Sequence, residues 1–383
     1  MRHSLPKSAI RNPKSAITKI GLGLLISGVC LYFVLRGVDW GEVWRHLTEV
    51  NPLLFMLAMF LMLAAYFLMS WRWQRLLEPL EVPQVVGAGA GVDRGPVGKV
   101  SLFNLYGKTL TGYFFNAFFP ARAGDIVRAY LLGKRTGLRK TTVLATIVIE
   151  KAFDGIALLL MLLFSLALLP SVIANPASIG ISPELLAWAA GVAMAAAIVG
   201  MALFYLYSDR FARVVGSVAG KLPLPERLKR LPVRLIKTFA EGMHIFRSPR
   251  PLASAALISM LVWLVVALMF LVGFLSFKTP FPSELTGVVG LFFMTALVNL
   301  GLLIPALPGN VGTYEALAVA GMAFFRVDKE LAVAFALIFH VGQIVTTLLV
   351  GVVAFWMQNL SLRDIGTVEE RAEQEAATVL YAE

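Results

Sequence analysis

The hydrophobic positions of this chain run on continuously, without a strand-like alternation. Six apolar segments, roughly 19–38, 50–70, 143–169, 185–207, 252–277 and 331–357, are each long enough to cross a hydrocarbon core of about 30 Å. Continuous runs exclude a transmembrane β-barrel, whose strands alternate polar and apolar residues. The predicted fold class is an all-α polytopic membrane protein. Two further apolar stretches, 101–119 and 285–325, are interrupted by a Pro-Ala-x-x-Gly bend. The bends read "FFPARAGDIVRAY" at 118–130 and "IPALPGNVGTYEA" at 304–316.

Loop charge orients the spans, because basic residues collect on the cytoplasmic side. Arg2, Lys7, Arg11, Lys14 and Lys19 precede or open the first span. Six basic residues fall in 120–142 and ten in 209–251, whereas 170–184 has none and 278–284 has Lys278 alone. Both termini are therefore expected in the cytoplasm, with 171–184 an external loop. The stretch 101–119 leaves and re-enters the cytoplasmic side, as a re-entrant hairpin would. The stretch 285–325 begins and ends outside, either as a hairpin or as two spans with a short second one. The resulting order is span, span, bent element, span, and then the same again. Three crossings per half make the second copy an inverted repeat of the first, a plan that places transporter sites at broken helices.

The expected organisation is a cytoplasmic segment 1–18, a first membrane repeat 19–170, the loop 171–184, a second repeat 185–358 and a cytoplasmic tail 359–383. Within the second repeat, 209–250 stays at the cytoplasmic surface. There Leu235, Ile236, Phe239, Met243 and Phe246 share one helical face, which suits a helix lying in the headgroup layer. The glycine-rich run 87–98 resembles a dinucleotide fingerprint only superficially, since no strand precedes it, and it is expected to be a cytoplasmic loop.

Composition supports this picture: 58% of the chain is hydrophobic and 15% charged. The net charge of +11 does not call for nucleic acid, because the basic residues sit between spans and have no aromatic-interleaved domain. They fit anionic lipid headgroups. Cys30 is the one cysteine, so no internal disulfide forms, and the apolar run continues past it as a retained span.

Candidate chemistry gathers at the bends. Pro120 stops a helix, Gly124 frees the turn and Asp125 is a candidate N-cap for the next helix. A helix start favours an anion, and Arg122 and Arg128 flank this one with guanidinium forks that fit a phosphate. The competing reading is a basic loop that sets topology. In the second half Pro305, Pro308, Gly309 and Gly312 break the helix, and Asn310 or Thr313 can cap its continuation. Glu315 is then either a capping acid or a carboxylate for a cation or proton. Glu150 and Asp154 share a face near the start of the third span and Lys151 can pair with Asp154, as a surface ion-pair knot or as part of the site. Asn116 and Asn299 precede the two bends, and His340 and Gln343 sit in the last span, where helix–helix hydrogen bonding is the ordinary role. No metal-ligand spacing, catalytic triad, phosphate-binding loop or ATPase domain is present in the sequence. No cofactor and no metal are expected.

The motifs "NAFFPARAGDIVRAYLL", "EKAFD" and "PALPGNVGTYEA", in this order, resemble the signature of the lysylphosphatidylglycerol synthase transmembrane-region, or flippase-like, family. The resemblance covers about residues 15–360. It implies functional positions at Pro120, Arg122, Gly124, Asp125, Arg128, Glu150, Asp154, Pro305, Pro308, Gly309, Gly312 and Glu315. The family often has Glu where Asp125 stands and Arg where Lys151 stands. No soluble synthase domain is expected after residue 360, so the chain is not expected to aminoacylate a lipid. The resemblance implies a flippase or scramblase in the cell's inner (plasma) membrane that moves an anionic phospholipid or lipid-linked intermediate without ATP. The alternative is a membrane-embedded transferase, or an accessory subunit with a synthase or glycosyltransferase partner.

Overall fold

The computed structural model describes residues 13–80, 100–118, 123–138, 140–168, 183–221, 232–233, 236–237, 249–302 and 308–358. Among them there are helices and turns and no strand. All six apolar runs are helical: α1 (Pro13–Leu35), α3 (Pro52–Leu77), α6 (Lys140–Leu168), α7 (Pro183–Lys221), α8 (Pro249–Leu275) and α12 (Lys329–Met357). Pro52–Leu77, Arg250–Leu275 and Lys329–Met357 are long and apolar enough to cross a membrane on their own. Their exposed faces carry residues such as Leu53, Phe60, Leu257 and Leu349, as befits helices solvated by lipid.

The loop between the first two runs folds into a short helix, α2 (Trp40–Thr48), turned 90° from α1. Asp39 caps it by accepting the Gly41 N–H at 2.8 Å. Its exposed Trp40 and Trp44 lie beside Glu42 and Arg45, a mixture suited to the membrane–water boundary. Asn51 then caps α3 through the N–H groups of Leu53 and Leu54 at 3.0 and 3.2 Å, with Pro52 at the first helical position. α7 is longer than the expected span. It continues through 209–221 after a kink at Tyr207, whose φ of −119° is not helical. The headgroup-layer helix expected at 232–246 lies mostly outside the described residues, as do the run 87–98 and the tail from 359.

The interrupted stretches become two helix pairs. α4 (Leu102–Phe118) and α5 (Ala123–Thr136) flank the first bend. After the short α9 (Ser283–Thr286), α10 (Val288–Gly301) and α11 (Thr313–Ala323) flank the second. At 1.5 Å per residue the 14 residues of α10 and the 11 of α11 reach about 21 and about 16 Å, so neither crosses a 30 Å core alone. α4 and α5 cross so closely that a Cβ on Gly124 would lie 1.8 Å from the Gly112 carbonyl oxygen, which leaves glycine as the residue that fits.

Packing exchanges elements between the halves. α3 and α8 lie against each other and run antiparallel, since Asn51 at the start of α3 donates its N–H to Ser276, just past the end of α8 (2.7 Å). α4 packs on α12, with Gln358 Nε2 donating to Thr111 Oγ1 at 2.6 Å. α10 packs on α6, where Ser165 Oγ donates to the Val289 carbonyl at 2.9 Å. Within the main apolar core Phe270, Phe274, Phe335 and Phe339 pack ring to ring between α8 and α12.

Candidate functional site

The first bend is pinned from α4. The Asn116 side-chain oxygen accepts the Gly124 N–H at 2.8 Å. This differs from the expectation of an Asp125 cap: α5 begins at Ala123, and Asp125 sits inside its first turn. The close crossing of α4 and α5 brings a neighbouring helix's amide to the orphan N–H, so the cap is supplied across the hairpin. Pro120 and Arg122 lie outside the described residues, as does Pro305.

One turn on, Arg128 is 1% exposed and points into the bundle. Its fork donates to both oxygens of Glu150, Nη1 to Oε1 at 3.3 Å and Nη2 to Oε2 at 3.1 Å. Its guanidinium carbon lies 4.3 Å from the centre of the Trp73 ring. The fork assigned from sequence to a phosphate thus faces an internal carboxylate. Asp125 Oδ1 is a further 3.8 Å neighbour of Arg128.

Glu150, fully buried, is shared. Arg72 Nη2 from α3 approaches its Oε1 at 3.4 Å, while Arg72 Nη1 donates to Asp154 Oδ1 at 2.6 Å. Arg72 Nη1 also donates to Ser259 Oγ of α8 at 2.9 Å, and Trp263 Nε1 donates to Asp154 Oδ1 at 3.2 Å. The knot expected near the start of the third span is therefore a buried network joining α3, α5, α6 and α8. Lys151 is its outward member. Its amine lies 3.8 Å from Glu150 and 3.9 Å from Asp154, beyond direct hydrogen bonding, and its side chain is 29% exposed.

The second bend holds a separate cluster. Gly309, Asn310 and Gly312 have φ of 70°, 57° and 90°, values that glycine adopts freely and asparagine tolerates. Pro308 opens a 3₁₀ turn, and the Asn310 carbonyl accepts Thr313 Oγ1 at 2.9 Å. Glu315 Oε2 accepts the Gly312 N–H at 2.7 Å, the capping role read from sequence. Its other oxygen, Oε1, lies 2.6 Å from His340 Nδ1 of α12. His340 Nε2 is 2.8 Å from the Gly309 carbonyl oxygen, and Tyr314 stacks on the ring at 4.2 Å. Gln343 Nε2 donates to the Tyr314 hydroxyl at 2.9 Å. Asn299 turns back on its own helix, to the Thr295 carbonyl at 2.8 Å.

The bends meet. A Cβ on Gly309 would lie 3.6 Å from the Ala117 carbonyl oxygen at the end of α4. Among the described residues no three His, Cys, Asp or Glu side chains converge as a metal site.

A family model described as the lysylphosphatidylglycerol synthase TM region matches residues 20–351. The chain belongs to this family. It is also similar to the glycosyltransferase AglD of Haloferax volcanii, 26% identical over 92% of this chain, and it spans 56% of that protein's length. A UPF0104 membrane protein of Methanothermobacter thermautotrophicus is 21% identical over 87% of this chain and 90% of its own. A UPF0104 membrane protein of Methanocaldococcus jannaschii is 25% identical over 39% of this chain and 41% of its own length. Family membership and the apolar helices make this an integral membrane protein.

Arg72, Ser259 and Trp263 were not read from sequence as site residues. Arg72 follows an apolar run as "SWRWQR", the usual dress of a span's interfacial end, yet α3 continues to Leu77. One signal was available. Glu150 and Asp154 at membrane depth need more positive charge than Lys151 brings, and Arg72 stands two residues past the end of the run 50–70.

Proposed function

We propose that this protein is a lipid transporter, a flippase or scramblase that moves an anionic phospholipid or lipid-linked intermediate between leaflets of the cell's inner (plasma) membrane without ATP. The observation that carries the reading is the meeting of two broken helix pairs, each with buried charge beside the break. Charge at membrane depth is costly, and it persists where a pathway or binding site uses it. Lys151 is the accessible cation of the first cluster, placed to meet a headgroup phosphate while the acyl chains stay in the bilayer.

The inverted repeat is part of this proposal. Both halves contain a long helix, a second long helix, a broken pair and a third long helix. The antiparallel pairing of α3 with α8 supports it, as does the exchange in which α4 packs on α12 while α10 packs on α6. Cytoplasmic termini follow from the loop charge.

The test is a fluorescent anionic phospholipid in liposomes containing the purified protein, with leaflet exchange followed by a membrane-impermeant quencher. Exchange no faster than in protein-free liposomes overturns the reading. A second reading, part of a glycosyl-transfer system acting on lipid-linked sugar, is favoured by the similarity to AglD. It predicts a chemically modified lipid by mass spectrometry when a nucleotide sugar or a partner transferase is added.

A further inference from the structure

We propose that Glu315 and His340 together form a single proton-binding site that holds the second bend closed against the first. The proposal rests on the transport reading only for what the proton drives. The Gly309 carbonyl can only accept, so the 2.8 Å contact requires a proton on His340 Nε2. A second proton is then required in the 2.6 Å contact between His340 Nδ1 and Glu315 Oε1, residing on either partner. The closed state is imidazolium with carboxylate, or neutral imidazole with carboxylic acid. Release of that shared proton leaves a carboxylate facing a bare nitrogen lone pair, and the contact becomes repulsive.

The consequences fall on the bend. Glu315 also holds the Gly312 N–H, and His340 also holds the Gly309 carbonyl, so the pair fastens both ends of the positive-φ turn. That turn abuts Ala117 of α4 and the Ser27 backbone of α1. Opening the pair loosens the seam between the two broken helix pairs.

Few other groups compete for the proton. From α11 the neighbour is Tyr314, whose hydroxyl is taken by Gln343. From Gly21 to Leu35, α1 has Cys30 and the exposed Tyr32 as its titratable side chains. On α3, Tyr66 meets Thr347, about two turns further along α12. On α4, Lys108 donates to Asn104 at 2.7 Å and Tyr113 faces Met69 and Tyr66. α10 carries no charged residue, and α2 places His46 against Thr279.

The test uses the full chain in a Cys30→Ser background with a Val311→Cys probe in the turn, labelled by a membrane-permeant maleimide from about pH 5 to about pH 9. Glu315→Gln supplies an amide N–H to Nδ1 and an oxygen to Gly312, mimicking the protonated pair and locking the turn at every pH. His340→Ala removes both fastenings and opens it at every pH. Rates are divided by those of Glu315→Gln at the same pH, which cancels the thiol's own titration. The parent ratio is expected near one in acid and roughly tenfold to a hundredfold higher in alkali, the factor for one charge-assisted hydrogen bond. His340→Ala is expected high throughout. A parent ratio flat with pH overturns the proposal, and so does Glu315→Gln labelling as fast as His340→Ala. Lipid exchange by the same preparations separates the two ideas: no exchange by the parent overturns the transport reading, while the labelling still decides the proton site.

Discussion

Replacing Glu150 by Gln removes one negative charge and leaves shape almost unchanged, at a position with no exposure. Two guanidiniums depend on that charge unequally. Arg72 keeps Asp154 at 2.6 Å, whereas Arg128 keeps only Asp125 at 3.8 Å and the face of Trp73. Breaking a buried pair by removing one partner costs about 3–5 kcal/mol, since it strands an uncompensated charge. Glu150→Gln is expected in that range, with Arg128 the stranded group. Glu150→Gln combined with Arg128→Met removes the stranded charge too and is expected to recover at least half the loss.

The assay is reversible unfolding in mixed micelles with increasing denaturing detergent, followed by tryptophan emission. Trp73 and Trp263 lie within the network and report directly on it. Should Glu150→Gln cost less than about 1 kcal/mol, the range of exposed ion pairs, then the network is wet and the account of a dry brace is wrong. A double variant less stable than the single one refutes Arg128 as the stranded group.

Gly124→Ala forces a methyl group toward the Gly112 carbonyl and is expected to cost about 3 kcal/mol or more in the same unfolding assay. Asn116→Ala leaves the Gly124 N–H without its acceptor and is expected to cost about 1–3 kcal/mol, with Asn116→Asp retaining most of the stability. Lys151→Gln, on a partly exposed side chain, is expected to change stability by less than about 1 kcal/mol. The same change should slow lipid exchange in liposomes by roughly tenfold, the loss of one charge-assisted contact.

The six apolar runs were legible because a lipid-facing helix has little freedom in composition, and the two bends because proline and glycine leave a local mark. The partners of the buried charges were not. Glu150 meets Arg72 across 78 positions of sequence, and Glu315 meets His340 across 25. Nothing in the local pattern of "SWRWQR" or "FALIFHVGQ" says which acid lies opposite. Helix–helix hydrogen bonding is the ordinary role for His340, and its contact with Glu315 is of that kind, but the partner is the capping acid of the bend and its second contact is with the turn itself. The α2 turn was hidden for a different reason: its nine residues are too few for hydrophobic periodicity to announce a helix.

The two clusters differ in the one property that matters for motion. Arginine does not lose its proton in a protein, so Arg72 and Arg128 keep their charges at any physiological pH. The network ties α3, α5, α6 and α8 together through two cations that do not give up their protons. Histidine can lose its proton, and His340 is fastened at both ring nitrogens to the turn beneath the second bend. Of two broken helix pairs in corresponding places along the chain, one is braced by arginine cations and the other by a carboxylate–imidazole contact that needs a proton between its partners. On the proposed transport reading, that difference would make the first bend the fixed wall and the second the moving part. Locking the second by Glu315→Gln should therefore slow lipid exchange without altering unfolding by more than about 1 kcal/mol, the scale expected when an isosteric amide keeps every hydrogen bond.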